Sequence, residues 1–100
     1  MEDKIIVNID PDLEDLIPTF LQNRHNDIDS MRTALTEDNF DTIRIIGHSM
    51  KGAGGGYGFD PITEIGGEIE HAALAKDKTV IEAGVVKLAD YLARIVVSFD

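Results

Sequence analysis

His48 and Lys51 are the two residues of this chain whose types and spacing could do chemistry. The lysine follows the histidine by three residues, and Gly52 comes directly after it. Residues three and four apart are neighbours on a helix, so all three would share one face. A neutral imidazole is a nucleophile near pH 7, a lysine beside it can offset the charge of a phosphoryl group, and a glycine leaves room for a second protein. The spacing therefore indicates a histidine that carries phosphate between proteins.

The helix that would present His48 is amphipathic. It is predicted to begin near Asp38 or Asn39, and at about 100° per residue its apolar residues fall opposite the histidine. These apolar residues are Ile43, Ile46, Met50, Ala53 and Tyr57. We therefore expect His48 to face away from the core.

Four residues close to His48 on this helix are candidates for contact with a partner protein. Arg44, Gly52 and Gly55 fall within about 40° of the histidine, and Ile45 about 60° away. Glycines remove side chains that would obstruct a docking protein. An exposed apolar residue beside a reactive group often marks a partner surface, so Ile45 is included.

Each of these features also has a plainer interpretation. The histidine could be a solvated bystander, and a lysine three residues along is common on any helix surface. The glycines at 52, 54, 55 and 56 could form a loop that ends the helix early. Within a helix each would cost about 1 kcal/mol relative to alanine, so they require a reason. In combination the features favour a functional site.

Composition excludes several classes of function. The chain has 100 residues, a formal net charge of -10 and only 9 lysines and arginines. Nucleic acids and anionic membranes attract basic surfaces, so neither is an expected partner. Without cysteine there is no disulfide framework, and the spacing of His25, His48 and His71 does not suit a metal site. The glycine run also lacks the Gly-Lys-Ser/Thr of a nucleotide-binding loop.

The start of the chain shows no targeting signal. Residues 1–10 do not resemble a signal peptide, and no apolar run approaches the roughly 20 residues that span a membrane. We expect a cytoplasmic protein.

The length of the chain predicts one domain, residues 1–100, and the periodicity of its apolar residues predicts the all-α class. Residues 1–9 would form a short extended arm or an extra helix, and residues 10–99 an up-down four-helix bundle. Pro18 should kink or split the first helix. The fourth helix is predicted to reach Phe99, although the β-branched segment 95–97 would also suit a strand.

The motif around His48 resembles the signature of histidine-containing phosphotransfer (HPt) domains. From His48 to Gly52 the chain reads His-Ser-Met-Lys-Gly, and small residues, Tyr57 and Gly58 follow. The family pattern is similar: His-x-x-Lys-Gly, small residues, an apolar residue and Gly. The run of glycines 54–56 departs from this pattern. It leaves the fixed positions of the motif unchanged and affects only the expected regularity of the helix after Lys51.

Residues 16–21 and 69–77 resemble the first and third helices of the family, so the resemblance covers about residues 10–99. It implies that His48 is phosphorylated, usually through Nε2, and that Lys51 lies near the phosphate. It implies receiver domains of response regulators and a histidine kinase or hybrid kinase as partners. The chain would need no cofactor of its own, because the Mg²⁺ used in transfer belongs to the receiver.

The HPt resemblance further implies a phosphocarrier without turnover, and we expect a monomer. Two other functions stay open. The chain could be an adaptor that docks receivers without being phosphorylated, although the intact His48 and Lys51 argue against this. It could also be a fragment of a kinase or phosphatase, which the missing nucleotide-binding signature disfavours.

Overall fold

The computed structural model describes residues 3–99, so the predictions for residues 1, 2 and 100 lie outside the described residues. In chain order the elements are β1 (Ile5–Ile9), a 3₁₀ helix (Pro11–Leu16), α1 (Ile17–Thr36), α2 (Phe40–Ala53), a 3₁₀ turn (Gly55–Tyr57), α3 (Asp60–Leu74), α4 (Lys78–Arg94) and β2 (Ile95–Phe99). The four helices confirm the predicted all-α bundle. No helix within residues 3–99 is long and apolar enough to cross a membrane.

Pro18 divides the first helical segment, as predicted. The 3₁₀ helix ends at Leu16, and α1 begins at Ile17 with Pro18 in its first turn. A proline is tolerated there because the first N–H groups of a helix have no partner within the helix.

Polar side chains mark the starts of α2 and α4. The Asn39 side chain accepts a hydrogen bond from the Thr42 N–H, so α2 begins where the pattern indicated. The Asp77 side chain accepts one from the Val80 N–H at the start of α4. Each of these bonds satisfies a donor that the first turn of a helix leaves unpaired.

The prediction that the fourth helix reaches Phe99 is wrong. The helix ends at Arg94, and Ile95–Phe99 forms β2, which pairs in parallel with β1 in the register Ile5 to Ile95. The extended arm is thus a strand rather than an extra helix. The segment is rich in β-branched residues, which favour strands, and β1 provides a strand with which it can pair. Together these two factors outweigh the helical spacing of its apolar residues.

The core receives side chains from all four helices. The two strands add their inward-facing residues, and Val97 and Phe99 pack against the core while Val96 is exposed. The largest fully buried side chains are Phe59, Met31, Ile43, Met50, Ile62, Ile69, Ile81 and Leu88. Ile43 and Met50 belong to the predicted apolar face of α2, so that helix is oriented as its periodicity indicated.

Helices α2 and α3 are in close backbone contact at Gly47 and Gly66. A Cβ added to Gly66 would lie 2.6 Å from the Lys51 nitrogen and 2.8 Å from the Gly47 oxygen. One added to Gly47 would lie 2.8 Å from the Glu70 nitrogen. Real Cβ atoms do not come so near to backbone atoms, so both glycines are needed for this separation of the helices.

Gly66→Ala should therefore destabilise the fold. Overpacking of this kind costs typically about 1–3 kcal/mol, and here the clashing atoms are mostly backbone, which cannot rotate away. Urea denaturation of the variant and the wild type measures the difference in free energy of unfolding.

Gly52→Ala is the matched control, because a Cβ at Gly52 would have no atom of another described element within 4 Å. It lies inside α2, so alanine should leave stability unchanged or raise it by up to about 1 kcal/mol. Equal stability of Gly66→Ala and the wild type would contradict the close contact.

Candidate functional site

His48 lies on the solvent side of α2. Its neighbours Gly47 and Met50 are buried, whereas 72% of the His48 side chain is exposed. The structure therefore places the imidazole opposite the apolar face, as predicted, and a second protein can reach it.

Glu70 of α3 holds one nitrogen of this imidazole. His48 Nδ1 lies 2.8 Å from Glu70 Oε2. An ionised carboxylate only accepts hydrogen bonds, so the proton of the bond belongs to Nδ1. In the neutral ring the other nitrogen, Nε2, then carries no proton and keeps its lone pair. Glu70 thus leaves Nε2 as the ring nitrogen that is able to act as a nucleophile.

The Glu70 carboxylate is held in its ionised form. Its largest influence is the hydrogen bond from His48, which together with the positive charge of Lys51 lowers the pKa of Glu70 below its ordinary value. Partial burial acts in the opposite direction, since 18% of the side chain is exposed, but does not reverse the shift. At neutral pH a negative charge therefore faces His48 Nδ1.

Lys51 brings a cation to the same face. Its Nζ lies 3.7 Å from Glu70 Oε1, and 56% of its side chain is exposed. The aliphatic part of the side chain runs past Gly67 at ordinary van der Waals distance from a Cβ there. Exposed ion pairs contribute little free energy, so the ammonium group is free to turn towards an anionic group beside His48.

The four predicted docking residues differ in their exposure and in their contacts with the rest of the protein. Ile45 has 53% of its surface exposed, and no other element in the described part of the chain comes within 4 Å of a Cβ at Gly52. A Cβ at Gly55 would lie 3.5 Å from Thr63 Oγ1, which is an ordinary contact. The Arg44 guanidinium pairs with Asp41 at 2.8 Å. Their contact with a partner stays a prediction.

The site is an open surface rather than a cavity. A groove of about 660 Å³ between α3 and α4 is lined by residues that include Glu68, His71 and Val80, but not by His48. Small-molecule ligands are usually enclosed in pockets. An exposed nucleophile on an open helix face suits a macromolecular partner instead.

Sequence reasoning missed Glu70. The carboxylate belongs to a different helix from His48, and nothing in the local pattern of α3 states which residue faces α2. One signal was available: Glu70 follows Gly66 by four residues, so both lie on the same line of α3. Since a glycine such as Gly66 can allow a close approach of two helices, that line leads to Glu70.

Arg24 of α1 is a buried charged residue. Its guanidinium pairs with Asp27 at 2.8 Å. The guanidinium also lies 4.7 Å from the centre of the Phe20 ring. Burial raises the pKa of the Asp27 carboxyl above its ordinary value, although Arg24 acts against this. The pair belongs to the packing of α1 and not to the site.

Comparison with known proteins gives one match. The family model of the Hpt domain matches residues 15–97, which include α2, α3 and the whole His48 site. No curated protein and no solved structure matches the chain significantly. The family match covers well over half of the chain, and it agrees with the exposed histidine and lysine on a helical bundle. The chain therefore belongs to the Hpt domain family.

Proposed function

We propose that this protein is a phosphocarrier in multistep phosphorelay signalling. It accepts a phosphoryl group on His48 from a receiver-domain aspartate or a histidine kinase and passes it to an aspartate of a response regulator. Membership of the Hpt family supports a phosphotransfer role in such signalling. The observation that carries the assignment to His48 is the Glu70 hydrogen bond, which leaves Nε2 unprotonated on an exposed face.

The transfer step needs little from the carrier except a positioned nucleophile. The Nε2 lone pair attacks the phosphorus of an aspartyl phosphate, a P–N bond forms, and the P–O bond to the aspartate breaks. The aspartate leaves as a carboxylate with that electron pair. His48 has no proton to lose at Nε2, and the Glu70 carboxylate at Nδ1 offsets the positive charge that the ring gains. Transfer to the next receiver reverses these steps.

Lys51 offsets the charge of the phosphoryl group. Its ammonium group is already on the His48 face, where it makes a long contact of 3.7 Å to Glu70. Exchanging that contact for phosphate oxygens replaces one exposed ion pair by another. Positioned cations stabilise the charge of a transferring phosphoryl group, so we assign this role to Lys51.

The partner would supply the rest of the chemistry. We propose that the receiver provides the Mg²⁺ and that the carrier has no cofactor and no turnover of its own. Ile45, Gly52, Gly55 and Arg44 would form the surface on which the receiver docks. We also propose that the carrier works as a cytoplasmic monomer, since one chain supplies all three side chains of the site.

His48→Gln should abolish phosphate uptake, because glutamine has no nucleophilic ring nitrogen. Wild type and variant are incubated with a phosphorylated receiver or hybrid kinase, and intact mass is measured. The wild type should gain one acid-labile phosphate and the variant none.

His25→Gln and His71→Gln are matched controls, since both histidines are exposed but lie outside the site. Both variants should be phosphorylated like the wild type. Phosphate on His48→Gln with unchanged stoichiometry would contradict the proposal. If no donor phosphorylates the wild type and receivers still bind His48→Gln, the chain is an adaptor instead.

Lys51→Ala should slow transfer, because the phosphoryl group loses a cation that offsets its charge. We expect the loss to be about tenfold, since solvent partly screens an exposed cation near a dianionic group. The fold should persist, since the contact of the Lys51 ammonium to Glu70 is long, at 3.7 Å, and exposed. Rapid-quench measurements of transfer from a phosphorylated receiver give the rate.

Lys87→Ala is the control for Lys51→Ala. Lys87 is similarly exposed and also pairs with a glutamate, Glu68, at 3.0 Å. It should transfer at the wild-type rate. A loss in both variants would assign the effect to net charge rather than to a role at His48.

Glu70→Ala should slow transfer by at least about tenfold, since a carboxylate that orients a histidine also selects its tautomer. Glu70→Gln should lie between this variant and the wild type, because its amide oxygen can still accept from Nδ1 but carries no charge. The same quench measurements rank the three proteins. Glu68→Gln is the control and should have no effect.

The pH dependence of stability offers a second check on Glu70. Its pKa is lower in the folded chain, so its contribution to the free energy of unfolding is complete above the unfolded-state pKa. The contribution is lost as the pH falls through the folded-state pKa. The stability difference between wild type and Glu70→Gln should therefore shrink on acidification. A difference that is constant with pH would contradict the ionised hydrogen bond.

A further inference from the structure

The Thr63 hydroxyl joins α3 to the end of α2. Thr63 Oγ1 accepts a hydrogen bond from the Gly55 N–H at 2.7 Å and donates one to the Lys51 carbonyl at 3.1 Å. In an uninterrupted α-helix the Gly55 N–H would donate to the Lys51 carbonyl directly. The hydroxyl is thus inserted into that one bond of the helical ladder.

This insertion coincides with the end of α2. The preceding bond, from the Gly54 N–H to the Met50 carbonyl, is intact at 2.9 Å. The helix then ends at Ala53, and the chain continues into the 3₁₀ turn Gly55–Tyr57. A side chain that enters the hydrogen-bond ladder is a recognised cause of a break in a helix. The carbonyl that loses its helical hydrogen bond belongs to Lys51, the residue that brings a cation to His48.

Gly54 makes room for the inserted side chain. A Cβ on Gly54 would lie 2.7 Å from Thr63 Oγ1 and 2.6 Å from the Thr63 nitrogen. Only glycine therefore allows α3 to bring Thr63 to this place. The presence of a glycine at position 54 is thereby explained by helix packing, independently of partner docking.

The backbone of Lys51 is consequently held by α3 on two sides. Its nitrogen is packed against Gly66, where a Cβ would lie 2.6 Å away, and its carbonyl is bound by Thr63. The ammonium group, in contrast, has only the long contact to Glu70 within residues 3–99. The fixed backbone therefore determines from which direction the mobile side chain meets a phosphoryl group on His48.

We propose that Thr63 is a positioning residue for phosphotransfer, which acts through the backbone of Lys51. This inference rests on the proposed function of His48. The hydroxyl has no hydrogen bond to His48 or Glu70 among the described residues, so its effect on transfer should pass through Lys51. If Thr63 only stabilised the end of the helix, the effect of its substitution on transfer would not depend on the Lys51 side chain.

The test is a double-mutant cycle between Thr63→Val and Lys51→Ala. Valine keeps the shape of threonine and loses both hydrogen bonds, whereas Thr63→Ser keeps the hydroxyl. Rates of transfer from a phosphorylated receiver are measured for the two single variants, the double variant and Thr63→Ser. Thr42→Val is the matched control, because Thr42 is a half-buried threonine of α2 whose hydroxyl has no bond among the described residues.

We expect Thr63→Val to slow transfer several-fold, and Thr63→Ser and Thr42→Val to stay within about twofold of the wild type. In the Lys51→Ala background, Thr63→Val should cause no further loss. Hydrogen exchange of the Gly55 amide should be slow in the wild type and in Thr63→Ser and fast in Thr63→Val, which confirms that the intended bond was removed.

Two results would overturn the role of Thr63 alone. One is wild-type transfer by Thr63→Val, and the other is a loss in the double variant that equals the product of the two single losses. Failure of the proposed function looks different, because the wild type itself would then take no phosphate on His48. That outcome would also remove any role of Thr63 in transfer, while the Gly55 exchange would still report the hydrogen bond.

Discussion

The close backbone contact between α2 and α3 is the constraint on which the rest of the site depends. Gly47 and Gly66 bring the helices so near that a Cβ on either would overlap backbone atoms of the other helix. At this separation the short Glu70 side chain reaches the imidazole of His48 at 2.8 Å. The same contact lets α3 bind the end of α2 through Thr63. A wider spacing would separate His48 from the carboxylate that orients its ring.

The site combines rigid and mobile parts. His48 sits on a helix that is packed into the core, and its ring is oriented by a half-buried carboxylate. Lys51 has a fixed backbone and a weakly held ammonium group. A phosphocarrier needs both properties, since the nucleophile must be in place when a partner docks, whereas the cation must meet the phosphate after its arrival. The exposed surface beside the histidine suits two successive protein partners better than a small substrate.

Much of this arrangement could be predicted from the sequence because it follows from local patterns. The period of α2 placed Met50 inside and His48 outside, and Pro18 marked the break before α1. The features that could not be predicted are contacts between distant parts of the chain. The segment after Arg94 fits helix and strand alike, and only its pairing with residues 5–9 decides for the strand.

Glu70 and Thr63 illustrate the same limit within the site. A glutamate and a threonine on an amphipathic helix have no distinctive spacing of their own. Their roles depend on the relative position of two helices. Glycines at 47, 54 and 66 determine that position because they allow close contact between the helices, and the spacing of residues along the chain does not reveal it. Small residues on facing helices are therefore the signal that would have pointed to both.

The central claim is that Glu70 makes Nε2 of His48 the phosphorylated atom. The most direct measurement is an NMR spectrum of the phosphorylated, ¹⁵N-labelled protein that detects the coupling between phosphorus and the ring nitrogens. We expect phosphorus to be coupled to Nε2 of His48, while Nδ1 keeps its proton in the hydrogen bond to Glu70. A phosphoryl group on Nδ1, or on any other residue, would contradict it.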